Sequence, residues 1–276
     1  MVDIPRIISV DDHVVEPPDL WTDRVDAKYR DRAPHLVKEE TGDRFHCDGQ
    51  DLVSIGGGSQ PGRRFDNPAG VTMEDVWENI LPGAYQPDAH VKDMDIDGID
   101  IDIVYPTVGL ILYRIPDPDF LGALFRAYND WTAEFCSTAP KRLKGVGMLL
   151  LEDVDESIKE MERCAKLGLS GVMIPVAPIE RRTYESPEDD PFWAAAQALQ
   201  MPLSLHVASN RGGEIRGDTT KPSLFCNADF YVRVALGDMI FSGVFERFPK
   251  LQVGSIEHEL EWAAFFLDRM DYVYTQ

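Results

Sequence analysis

The 276-residue chain carries 48 Asp and Glu against 27 Lys and Arg, a net charge of −21, and 44% of its residues are hydrophobic. That hydrophobic share excludes a disordered chain and supports one large core, in the size range of a single α/β barrel. The charge argues against nucleic-acid backbones and anionic membranes as partners, since both would be repelled.

The opening stretch MVDIPRIISVDDH has a short apolar run interrupted by Pro5 and followed at once by acids, unlike a secretory leader. No apolar run reaches the length of about eighteen residues that a membrane span needs. Cys47, Cys136, Cys164 and Cys226 lack CxxC spacing, and Cys164 falls on the apolar side of a predicted helix as a buried thiol. A reducing cytoplasm is the expected location.

Short apolar runs then alternate with helical stretches. The first run is Arg6 to Val10, and residues 39–70 read as an insertion after it. Within the insertion, Asp48-Gly49 between alternating residues predicts a small β-hairpin. A polar helix-like segment from Pro87 to Asp97 precedes the second run, Ile101 to Tyr105. Leu121, Leu124, Tyr128, Trp131 and Phe135 then share one helix face, which Pro140 ends. The third run is Gly145 to Leu150, followed by a stripe of Val154, Ile158, Met161 and Ala165 that stops at Gly168. Gly171 to Pro175 is the fourth run, and Pro191 opens the helix after it. Leu203 to Val207 and Leu251 to Ile256 are the fifth and sixth, the last followed by a helix bearing Trp262, Phe265, Phe266 and Met270. Such runs separated by helices predict a parallel sheet buried on both faces. Six β/α units fall short of the eight in a closed TIM-type (β/α) barrel, and an open six-stranded sheet satisfies the same count.

Asp11 and His13 stand at the end of the first strand, and an i, i+2 spacing turns both side chains to one face while Asp12 points away. A strand-end aspartate also often caps the following turn. His206 lies near the end of the fifth strand, where a core histidine bonded to a carbonyl is the competing reading. Glu257, His258 and Glu259 follow the sixth strand, and a helix N-terminus accounts equally for Glu259 and Glu261. Taken together, Asp11, His13, His206 and Glu257 would all come from C-terminal strand ends, where barrel active sites lie. Imidazoles with carboxylates suit zinc or manganese and leave positions open for water or substrate.

Four stretches carry a family resemblance: SVDDHVVEPPDLW at 9–21, DMDIDGIDIDIVYPT at 93–107, LGLSGVMIPV at 167–176 and FSGVFERFPKLQVGSIE at 241–257. They resemble the second amidohydrolase family, which includes aminocarboxymuconate-semialdehyde decarboxylase and the aromatic-acid decarboxylases. The resemblance implies a single barrel domain over 1–276 of the metal-dependent hydrolase superfamily. It implies Asp11, His13 and His206 as ligands of one divalent metal, a single ion because the fourth strand lacks a bridging lysine, with zinc expected before manganese. Glu257 or His258 would move the proton. The family's last ligand, an aspartate in an SDYPH-like stretch after the eighth strand, has no counterpart here, so a C-terminally truncated barrel of about six units is expected.

The implied activity is a metal-dependent hydrolase or decarboxylase acting on a small carboxylated, aromatic-derived compound. An inactive fragment and a metal-free binding or scaffold protein are the alternatives. Arg114, Arg211 and Arg216 are candidate carboxylate clamps, and Tyr105 and Phe225 candidate pocket aromatics. Exposed edges on the first and sixth strands predict a homo-oligomer or an aggregating product.

Overall fold

The computed structural model describes residues 6–62, 72–179, 183–211, 223 and 226–276. The chain divides into two compact units: Met1–Met148 with Leu167–Leu169, and Leu149–Lys166 with Ser170–Gln276.

The first unit is built on three parallel strands, β1 (Ile8–Val14), β5 (Ile101–Pro106) and β6 (Leu143–Met148), with β5 in the middle. Between β1 and β5 the chain forms an antiparallel meander of β2 (His35–Lys38), β3 (Asp43–Cys47) and β4 (Gln50–Ser54). The expected hairpin is there, its turn made by Asp48 at φ 53° and Gly49 at φ 75°. Two consecutive left-handed residues define the turn whose twist matches the flanking strands. The extra strand β2 went unforeseen, and residues 63–70 of the expected insertion lie outside the described residues.

Among the described residues of this unit the α-helices are α1 (Leu20–Arg24), α2 (Pro87–Asp97), α3 (Val108–Leu112) and α4 (Pro118–Ser137). In α4, Asp117 caps the start by accepting from the Phe120 amide at 3.1 Å, and Pro118 fits the first turn, where its missing N–H is no loss. The predicted stripe is buried along its whole length, from Leu121 to Phe135. It packs on β6 closely enough that Gly145 has no room for a side chain: a Cβ there would lie 2.7 Å from Thr132 Cγ2. Asn129 of α4 extends the end of β6, donating to the Met148 carbonyl and accepting from its amide. Trp21 of α1 is fully buried, donates to the Leu124 carbonyl at 3.1 Å and meets Phe45 edge-on.

The second unit repeats the plan. Its parallel strands are β7 (Gly171–Ile174), β8 (Leu203–His206) and β9 (Val253–Ile256), with β8 central. Its helices are α5 (Val154–Leu167), α6 (Asp190–Leu199), α7 (Phe230–Phe241), α8 (Val244–Arg247) and α9 (Glu261–Tyr274). Every residue of β7 and β8 is buried, as expected for strands covered on both faces. Cys164 is buried, and all four cysteines are free. Burial pushes the thiols of Cys47 and Cys136 up to about 12, so both behave as small apolar side chains. No helix among the described residues is long and apolar enough to cross a membrane.

Candidate metal centre at the strand ends

In the first unit the strand pairing itself aims the side chains. Ser9 of β1 faces Asp102, but Asp12 faces Val104, so three steps along β1 match two along β5. This one-residue bulge bends the strand just before the charged residues, a device that re-aims side chains near sites. Beyond it, His13 Nε2 lies 3.4 Å from Asp11 Oδ1, so the pair does share a face. His13 Nδ1 sits 2.8 Å from the Pro106 carbonyl at the end of β5. A carbonyl only accepts, so Nδ1 carries the proton and Nε2 presents its lone pair toward Asp11.

Glu16 fixes the neighbouring turn. Fully buried, it accepts from the amides of Val108 at 2.9 Å, Gly109 at 2.8 Å and Thr107 at 3.3 Å. Burial raises its pKa despite these bonds, which pull the other way. Glu16 therefore clamps the segment after β1 to the one after Pro106, the residue whose carbonyl orients His13.

In the second unit His206 is completely buried at the end of β8. Its Nδ1 lies 2.9 Å from the Val207 carbonyl, which sets the same tautomer as in His13. Its Nε2 lies 3.8 Å from Glu257 Oε2, beyond the end of β9. The carbonyl bond expected of a core histidine is present, and in metal sites a carbonyl on one nitrogen orients the other toward the ion. Glu257 takes φ 60° and Ala208, after β8, takes φ 66°. Left-handed backbone costs a non-glycine residue about 1–2 kcal/mol, and such strain concentrates at functional sites. The turn at Glu257 sends His258 inward, where it is 2% exposed with Nδ1 3.2 Å from Ser255 Oγ. Glu257 itself remains half-exposed.

Both pairs fit a divalent cation. A neutral imidazole lone pair facing a carboxylate oxygen is repulsive unless a proton or a cation lies between them. Ligand atoms bonded at about 2.1 Å in a tetrahedron stand about 3.4 Å apart, close to both separations.

Of the arginines proposed as clamps, Arg211 is buried and bound to Glu152, Nε to Oε1 at 2.6 Å, so its charge is already engaged. Arg114 is exposed, with partial desolvation lowering its pKa. Tyr105 is buried with its ring 6.2 Å from that of His13. Arg216 and Phe225 lie outside the described residues.

Sequence reasoning passed over a second group in the first unit, Asp12, His90 and Asp102. The readable signal was an acid inside the apolar strand IDIVYP. His90 Nε2 is 3.2 Å from Asp102 Oδ2 and 3.7 Å from Asp12 Oδ2, and His90 Nδ1 is 2.8 Å from the Gly83 carbonyl. Burial, and then the Asp102 charge, raise the pKa of Asp12. Burial draws His90 down, but its bonds to Asp102 and Gly83 outweigh this and leave it raised.

Parallel strands alternating with helices, with imidazole and carboxylate side chains at their C-terminal ends, define the plan of a (β/α)-barrel type of protein. Residues 82–255 match the family described as Amidohydrolase, and the chain belongs to that family. It is 28% identical over 178 residues to a 2-amino-3-carboxymuconate-6-semialdehyde decarboxylase of Dictyostelium discoideum, covering 64% of this chain and 49% of that one. It is 26% identical over 214 residues to a gamma-resorcylate decarboxylase of Rhizobium radiobacter, covering 74% and 65%. The chain thus spans between about half and two thirds of these curated relatives. An amidohydrolase structure from Mycobacterium avium subsp. paratuberculosis superposes with a TM-score of 0.77 at 21% identity, over 98% of this chain and 76% of that one. A 5-carboxyvanillate decarboxylase from Novosphingobium aromaticivorans, solved with manganese and 4-hydroxy-3-methoxy-5-nitrobenzoic acid, gives 0.62 at 22% identity, over 98% and 70%.

Proposed function

We propose that the chain removes carbon dioxide from a small aromatic-derived carboxylic acid, using one divalent metal ion held by Asp11, His13 and His206. The observation that carries this reading is the matched pair of histidines. Each commits Nδ1 to a backbone carbonyl and turns Nε2 toward a carboxylate. Barrels of this family gather C-terminal strand ends at one mouth, so both pairs are assigned to a single ion. Manganese replaces the zinc expected from donor chemistry, because the carboxyvanillate decarboxylase was solved with manganese. When bound, the ion would hold the substrate carboxylate with a neighbouring oxygen and offset their charge.

Decarboxylation is preferred to hydrolysis because the curated relatives cited above are decarboxylases. In the net step the ring carbon gains a proton, its bond to the carboxylate breaks with the electron pair kept on the ring, and carbon dioxide leaves. Glu257, half-exposed beside His206, is assigned the proton transfer, and buried His258 is assigned the shaping of the turn that presents it. The substrate is a small molecule, with no nucleic acid or membrane as partner. A homo-oligomer in the cytoplasm completes the reading.

The test combines elemental mass spectrometry with product analysis on gamma-resorcylate and 5-carboxyvanillate. Either His13→Ala or His206→Ala should cost one manganese per chain and abolish carbon dioxide release. Glu257→Gln should keep the metal and lose about 10²- to 10⁴-fold in rate. Full manganese retention in His206→Ala would instead make His206 a core residue and sink the proposal.

A further inference from the structure

We propose that the cleft beside α2 in the first unit is a second divalent-cation site, with Asp12, His90 and Asp102 as its ligands. Asp12 of β1 lines it together with His90 of α2 and Asp102 of β5, and His13 is also on its wall. The cleft has a volume of about 360 Å³, and Asp12, Asp93, Asp97, Asp102 and His90 are among its walls. Among the described residues no Lys or Arg lines it, while four carboxylates do.

Two further observations point to a ligand and not merely to an acidic surface. Asp102 is 1% exposed, and its Oδ1 has no hydrogen-bond partner among the described residues. A buried carboxylate oxygen left without a donor is costly, and a bound cation removes that cost. His90 also has its Nδ1 proton committed to the Gly83 carbonyl, which directs Nε2 at the two aspartates. Its distances of 3.2 and 3.7 Å to their oxygens bracket the edge of about 3.4 Å expected between ligands bonded at about 2.1 Å. One neutral imidazole and two carboxylates balance a divalent charge, and the set suits manganese or zinc, with positions open to water from the cleft. Asp12 is the residue at which pairing resumes after the bulge, so a cation here would brace the bulge from behind.

The experiment loads the intact chain with manganese(II) or zinc(II), removes excess by gel filtration, and counts bound metal. Wild type should hold one cation more than Asp102→Asn or His90→Gln. The His13→Ala, His206→Ala double variant should keep one cation, and manganese should still raise its melting temperature over that in EDTA. Adding Asp102→Asn to the double variant should abolish both the bound cation and that rise. The proposal is overturned if the double variant binds neither metal and melts alike in manganese and in EDTA, since the cluster would then hold a proton. It is equally overturned if Asp102→Asn and His90→Gln both retain the wild-type count. Failure of the Asp11, His13 and His206 centre has a different signature, an unchanged count in the double variant.

Discussion

At Glu16 a fully buried carboxylate is held by three consecutive backbone amides and, among the described residues, no positive side chain. Replacing it with alanine would strand those donors, and about 3 kcal/mol of stability should go with them. Glutamine keeps one oxygen as acceptor and should cost about 1 kcal/mol. The pH dependence runs opposite to that of an ion-paired acid. Because burial raises the folded pKa above the ordinary value of about 4.5, the folded chain holds the Glu16 proton more tightly than the unfolded chain does. The favourable contribution is complete below that value and is lost as pH rises through the folded pKa. Urea denaturation from pH 4 to pH 8 should therefore show wild type losing stability relative to Glu16→Gln as pH rises. Parallel curves would mean that the three amides cancel the desolvation. Glu16→Ala should also weaken metal binding, through the displaced Pro106 carbonyl that orients His13.

Among the elements, those with strong local chemistry were legible before any coordinates. The helix bounds Pro87 and Asp97 match α2, and Asp48-Gly49 specified the turn between β3 and β4, because few dipeptides accept two left-handed residues. The shared face of Asp11 and His13 and the strand-end place of His206 were legible from spacing alone. Other features were not. The first apolar run was read as Arg6 to Val10 with Asp11 and His13 at its end, whereas the strand runs on through them to Val14. Its bulge leaves no trace in composition, because one extra residue changes register and not type. In α7, apolar residues spread around the whole helix, with Phe230 and Phe241 exposed, so no stripe marked it. Long-range electrostatics were hidden for the same reason. Arg32 bonds Asp48 through Nε at 2.8 Å and Asp117 through Nη1 at 3.1 Å, tying the hairpin turn to the cap of α4. The Arg32 hydrogen bond lowers the Asp48 pKa, while the Phe120 amide and then Arg32 lower that of Asp117. Their contribution is present above the ordinary carboxylate range and disappears as pH falls through the lowered values. Arg32→Ala should accordingly reduce the melting temperature at pH 7 and change nothing near pH 2. Asp117→Asn retains the cap, whereas Asp117→Ala should lose it, at about 1 kcal/mol. Equal melting of the two Asp117 variants would show that the ion pair, not the cap, matters there.

On the scale of the whole molecule, a net charge of −21 opposes exposed apolar surface. Among the described residues β1 pairs with β5 alone, and Ile8 and Val10 on this edge strand are half-exposed or more. In the second unit β9 pairs with β8 alone among the described residues, and α9 exposes Phe265, Leu267, Tyr272, Val273 and Tyr274. Unpaired strand edges and contiguous apolar surface favour self-association. Like charge spread over each copy works against it, over a range set by the Debye length of about 10 Å at 0.1 M salt and about 3 Å at 1 M. Salt weakens the repulsion and leaves the apolar attraction intact, so self-association should increase with ionic strength. Light scattering after size exclusion should show the mass per particle rising between 0.05 and 0.5 M sodium chloride at fixed concentration (values on the order of those Debye lengths). Val10→Lys on the β1 edge and Phe265→Lys on α9 test the two surfaces separately, and whichever carries the contact should shift the rise to higher salt. A monomer at every salt concentration would show that neither the edge nor the helix face is adhesive. The homo-oligomer expected from the strand edges would then have to be given up.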